Sequence, residues 1–190
     1  LQFSDEEDDS ADARLDMAVE RVVSAILWHL WPKLGSAKRA ADISVRVTRE
    51  EQEVPLQRPD QYPFLRPFTQ ALDAIEANRG NKIVRSRIKY PGHVGDWAVH
   101  VCQPDPTAGS NQGLLSSKPF NGPYHHVARM RQAKLVVDYL ECEPYPGQEF
   151  GYAGVFLASK DFDQCFADAE PPTHDKWETR GLPDEPRLVV

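Results

Sequence analysis

The stretch "FGYAGVFLA", residues 150–158, carries no charged side chain. A run this short, apolar throughout and rich in aromatic rings reads as a buried strand rather than a length of helix. Just upstream, "KLVVDYL" (134–140), apolar apart from Lys134 and Asp138, predicts a second buried strand, joined to the first by the connection "ECEPYPGQ". Two further strands are predicted over "KIVRSRIKY" (82–90) and "DWAVHVCQ" (96–103), with the turn-rich "PGHVG" between them. Near the N-terminus "ISVRVT" (43–48) alternates apolar and polar residues, and "EVPL" is its expected hairpin partner across residues 49–52.

Helical periodicity fills the gaps. From Ala11 to Lys33 the residues Leu15, Val19, Val22, Ile26 and Leu30 recur every three or four positions, predicting one apolar stripe with Ser10 as N-cap. Trp28 and Trp31 would close that helix against something bulky. A second helix is expected from Phe64 to Asn78, with Gly80 as a left-handed C-cap. A short helix or turn is expected over Tyr124–Gln132, and another short helix over "KDFDQCFADAE", with Phe162 and Phe166 on one face. The order α-β-β-α-β-β-loop-β-β-α predicts an α+β fold: a mixed or antiparallel sheet with helices packed mainly on one face. Residues 1–13 read as an acidic linker or helix entry, 14–180 as one domain with a long loop at 104–123, and 181–190 as a tail.

With 190 residues, 41% hydrophobic and 27% charged, the chain can bury a core without covalent staples. Its net charge of −7 argues against broad binding to nucleic acid, which demands a basic face. Cys102, Cys142 and Cys165 form no CxxC pair and read as reduced thiols of a cytoplasmic protein. Neither a bilayer-length apolar run nor a signal peptide is visible, so no membrane partner is expected. The first residue is Leu1 rather than Met, and the chain is read as a piece of something longer.

Familiar catalytic signatures are missing. There is no GxSxG, HExxH or GxxxxGK[ST]. His125 and His126 are adjacent, so on a strand they would point to opposite faces and could not share a metal. His93 and His100 stand alone. A small hydrolase or nuclease built on His125 or His126 with Asp138 lacks a spaced nucleophile or metal set. Arg85, Arg87, Lys89, Arg129 and Arg131 give the middle of the chain a basic bias, read as a solvated strand face or as a patch for phosphate or an acidic partner. The remaining candidate is "AEPPTHDKW", residues 169–177. By composition it is a surface loop, with Lys176 screened by Glu170, Asp175 and Glu178.

Residues 151–178 nevertheless resemble the end of the transducer domain in prokaryotic ATPases like the microrchidia (MORC) family, of the gyrase–histidine kinase–MutL (GHKL) superfamily. There a strand ending in Gly-Val leads into a Glu-Pro-Thr-His-Asn-Lys loop. Gly154 and Val155 match the strand; Glu170, Pro172, Thr173, His174 and Lys176 match the loop, with one extra proline and Asp175 for the asparagine. Upstream, "VARMRQAKLVVDYL" is similar to a family strand in which Arg129 or Arg131 would be the arginine and Leu135 and Val136 the apolar pair. The likeness covers residues 124–178. It implies that Lys176, supported by Thr173 and His174, touches the γ-phosphate of ATP; Trp177, where the family usually has a polar residue, would anchor the loop in the core. ATP and Mg2+ would be held mainly by an N-terminal nucleotide-binding head of the same parent protein, because ExxxN and DxGxG motifs are absent here. Such a fragment is inactive by itself. Its parent is implied to hydrolyse ATP, to form a homodimer and to act on DNA or in antiviral defence. The alternative is a protein-interaction module whose binding element is loop 104–123.

Overall fold

A computed structural model describes residues 4–85, 92–104, 118–120, 122–147, 149–173 and 176–177. Helix α1, Ser4–Leu30, begins earlier than its periodicity suggests, so Ser10 lies inside the helix rather than capping it. The acidic run, expected as a linker or helix entry, is thus part of the helix. The buried stripe is also rotated from the expected one. Val23, Leu27, Trp28 and Trp31 are buried, whereas Leu15 and Val22 are exposed. Trp28 near the helix end and Trp31 just after it carry the bulkiest apolar groups here, and their burial sets the rotation.

Strands β1 (Val47–Arg49) and β2 (Gln52–Val54) form the expected hairpin, shorter than predicted. Glu50 and Glu51 at its turn both have positive φ, as a type I′ turn requires. Helix α2, Arg66–Glu76, buries Phe68, Ala71, Leu72 and Ile75. Asn78, not Gly80, takes the left-handed conformation after it, with φ 54°. Gly80 answers a different need: a Cβ there would lie 3.2 Å from the Trp97 carbonyl oxygen and 3.0 Å from the Ile75 side chain.

The main sheet contains β3 (Asn81–Arg85), β4 (Gly92–Cys102), β5 (His125–Met130), β6 (Val136–Glu141) and β7 (Gly151–Ala158) in the order β3-β4-β7-β5-β6. All neighbours are antiparallel except β5 and β7, which run parallel. The fold is therefore α+β with a mixed sheet. The uncharged run that predicted a buried strand is the central strand, β7. Two expectations fail. Gly92–Gly95, read as turn, belongs to β4, and His125–Met130, read as helix or turn, is β5. Ala, Arg and Met favour helix locally, and pairing on both sides of β5 overrides that preference. The end of "KIVRSRIKY", most of loop 104–123 and the tail fall outside the described residues.

Ala98, Ala128, Met130, Val136, Ala153, Val155 and Leu157 form the sheet's inner surface and pack with α1 and α2. The core is aromatic. The Phe68 ring lies 5.3–6.4 Å from those of Trp28, Trp31, Phe120, Tyr124 and Tyr139. The Tyr139 hydroxyl donates to the Trp28 carbonyl at 2.5 Å and accepts from Trp31 Nε1 at 3.1 Å, so these buried polar atoms are satisfied. On the outer surface Trp97, Val99, Val101 and Leu140 are exposed.

Candidate functional site

The loop that carries Lys176 is built from its two ends. After β7 the chain enters α3, Asp163–Asp168, whose N-cap residue Phe162 packs over Gly92. Gly92 must lack a side chain here, since a Cβ would meet the Phe162 ring at 2.7 Å. At the near end of the loop, the Glu170 side chain is 6% exposed and accepts from Arg131 Nη1 at 3.4 Å. At the far end, Trp177 Nε1 donates to the other Glu170 oxygen at 3.2 Å. The Trp177 ring sits 4.4 Å from Phe166 and 6.0 Å from Phe156, with the Arg129 guanidinium 5.0 Å from its centroid. The tryptophan is thus an anchor as expected, but on the outer surface of the sheet rather than in the main core.

Both arginines of the resemblance support this corner. Arg129 holds Asp138 in a two-bond fork, with Nε donating to Oδ1 at 2.7 Å. Arg131 Nη2 donates to Asp163 Oδ2 at 3.0 Å, and the Gln132 backbone N–H donates to Asp163 Oδ1 at 3.0 Å. Burial raises the Asp163 carboxyl pKa, but these two hydrogen bonds and the Arg131 charge outweigh it and hold the group below the usual range. Hydrogen bonding to Asp163 in turn raises the Arg131 pKa. With acidic partners on both, Arg129 and Arg131 do not form a bare basic patch. The segment likened to one strand is in fact a hairpin: Arg129 lies on β5, Val136 on β6, and Lys134 turns the chain between them with φ 55°. Thr173 and Lys176 are exposed on the loop so pinned, whereas His174 and Asp175 lie outside the described residues.

A second cluster forms at the other end of β5. His125 Nε2 lies 3.1 Å from Glu141 Oε1, and the two histidine rings are 4.8 Å apart. His126 stacks on Phe120 at 3.9 Å and 19°, and its Nδ1 accepts the His125 backbone N–H at 3.3 Å. Burial and the neighbouring His125 lower the His126 pKa to about 4, against a smaller opposing effect of Glu141. The expectation that adjacent histidines face apart is therefore wrong. His125 is the first residue of β5, laddered to β7 but not to β6, and at this strand end its ring lies 4.8 Å from that of His126. Asp138 serves Arg129 rather than either histidine, which removes the His–Asp pairing weighed for a hydrolase.

Sequence spacing hid Glu141, sixteen residues from His125, and the closure of the loop by Glu170. The signal within reach was register: Glu141 is the cross-strand partner of His126. Elsewhere, the three cysteines are free thiols, and no described helix is long and apolar enough to cross a membrane. No protein-family model, no curated protein and no solved structure matches the chain.

Proposed function

We propose that this chain is a transducer-like domain of a GHKL-type, MORC-like ATPase, non-catalytic by itself. It presents Lys176 to the γ-phosphate of ATP held with Mg2+ in a nucleotide-binding head of the same parent polypeptide. Thr173 and His174 complete the phosphate-facing loop. The parent works as a cytoplasmic homodimer, with DNA as a candidate substrate surface and antiviral defence as a candidate setting. Support comes from one observation above all: the Glu170–Trp177 hydrogen bond closes the loop at its base and leaves Lys176 exposed beside an anchored ring. An ammonium suits a terminal phosphate as a compact point charge. Holding its loop on the sheet reduces the entropy lost when the two domains close. Closure would follow from tighter binding of ATP to the closed form.

The test is ATP turnover by the complete parent, wild type against Lys176→Ala. Loss of about a hundredfold with folding intact is the expected outcome, the scale for removing one donor aimed at developing charge. Unchanged turnover, or a parent without ATPase activity, defeats the proposal.

A second reading, an interaction module with no nucleotide role, is favoured by a different observation. Trp97, Val99 and Val101 alternate along β4 on the outer surface and remain exposed, as does Leu140 three strands away on β6. Exposed apolar rows of this kind mark partner surfaces. Unlike the first reading, it requires no effect of Lys176→Ala on any turnover.

A further inference from the structure

We infer that His125, His126 and Glu141 form a binding site for one divalent transition-metal ion of the zinc type. The inference is independent of the Lys176 proposal. Register places Trp177 and the histidines at opposite ends of the same strands: Phe156, which Trp177 touches, pairs with Arg129, while Tyr152 pairs with His125.

Three features of the cluster point to a metal rather than to an ordinary hydrogen-bonded pair. First, one donor atom from each of the three side chains lies within 4.8 Å of the others. In a tetrahedral zinc centre with bonds of about 2.0–2.2 Å, neighbouring ligand atoms stand roughly 3.3 Å apart. The His125–Glu141 edge, at 3.1 Å, is already close to that length. The longest separation needs to shorten by at most about 1.5 Å, within reach of side-chain rotation alone.

Second, the histidines are held before any ion arrives. The His126 ring is 1% exposed and clamped flat on Phe120, and the His125 side chain is 8% exposed. Rigid, buried imidazoles lose little freedom on ligation. Third, the Glu141 side chain is 72% exposed. The cluster is therefore dry on the histidine side and open on the carboxylate side, which leaves an approach for the ion and room for water in a fourth position.

Two imidazoles and one carboxylate suit zinc, cobalt or nickel better than magnesium or calcium, which prefer all-oxygen sites. In the complex His125 would ligate as neutral imidazole through an unprotonated Nε2, with its ring proton on Nδ1, and the ionised Glu141 carboxylate would turn from Nε2 to the ion. Three protein ligands with an open position is the arrangement of catalytic rather than structural zinc sites.

Zn2+ and Co2+, added separately to the untagged full chain after chelator treatment, are the probes. Calorimetry is expected to give one ion per chain, and Co2+ to give visible d–d absorption that Zn2+ abolishes. Glu141→Ala, at a side chain 72% exposed, is expected to weaken Zn2+ binding at least tenfold, as is His125→Ala. No saturable site in the wild type overturns the inference. So does equal Zn2+ affinity in the wild type and in folded Glu141→Ala, which would place the ion elsewhere.

Discussion

The two surfaces of the five-stranded sheet are both rich in aromatic residues, yet they are built for different purposes. On the inner surface Trp28, Trp31, Phe68, Phe120 and Tyr124 are buried and in mutual contact, and the hydroxyl and indole groups that reach the core along Tyr139 and Trp31 are paired. On the outer surface Phe156, Phe166 and Trp177 cover only one corner, and Trp97, Val99 and Val101 are left to solvent. The inner surface holds the fold together by excluding water from large rings. The outer surface spends its interactions on holding one loop in place. Arg129 and Arg131, paired with Asp138, Asp163 and Glu170, serve the outer corner, whereas on the helix side Arg39 pairs with Asp73 and Glu76 of α2.

Substitution at the centre of the inner surface is the harshest way to test this division. Phe68→Ala removes a ring in contact with five others and is expected to cost about 3–5 kcal/mol of unfolding free energy. Urea denaturation measures it. A loss below about 1 kcal/mol would mean that the inner cluster is not the main source of stability.

Acidification should also strike the inner surface first. His126 titrates near pH 4 when folded and near 6.5 when unfolded, so between those values the unfolded chain binds more protons. Stability is then complete above about pH 6.5 and falls as the pH drops toward 4, by up to about 3 kcal/mol. Asp163 on the outer corner has a lowered pKa, so its contribution persists until the pH falls below about 4. Unfolding curves at a series of pH values, in the presence of chelator, separate the two. Constant stability from pH 7 to 4.5 would show that His126 is not held neutral by burial.

The smallest effect is expected on the exposed row. Val101→Lys should change stability by no more than about 0.5 kcal/mol, because Val101 is 51% exposed. Loss of a partner or of self-association in sedimentation, with stability intact, would mark the row as an interface. A loss of about 2 kcal/mol or more would show instead that this surface is packed and that the contrast between the two sides is false.

Local pattern carried some of this organisation and not the rest. The apolar runs of β6 and β7, the β1–β2 hairpin and α2 were legible because each is specified by neighbours within a few residues. The rotation of α1 was not, since it depends on where two indoles find a partner surface. β5 was misread as helix or turn because its strand state comes from the parallel pairing with β7, a contact between distant segments. The candidate sites divide in the same way. Trp177 was legible as an anchor of its loop, but its place on the outer surface, the closure by Glu170 and the support from Arg129 and Arg131 were not.

By itself, then, the sequence determined the α+β class, the charge that disfavours broad nucleic-acid binding and the order of chemically distinctive residues along the chain. Tertiary structure decided which of those residues meet. It brought Glu141 to two histidines that alternation would separate, and it assigned Asp138 to Arg129. The reason is physical: periodicity encodes which side of an element is apolar, whereas register and strand order arise from burying all such sides at once.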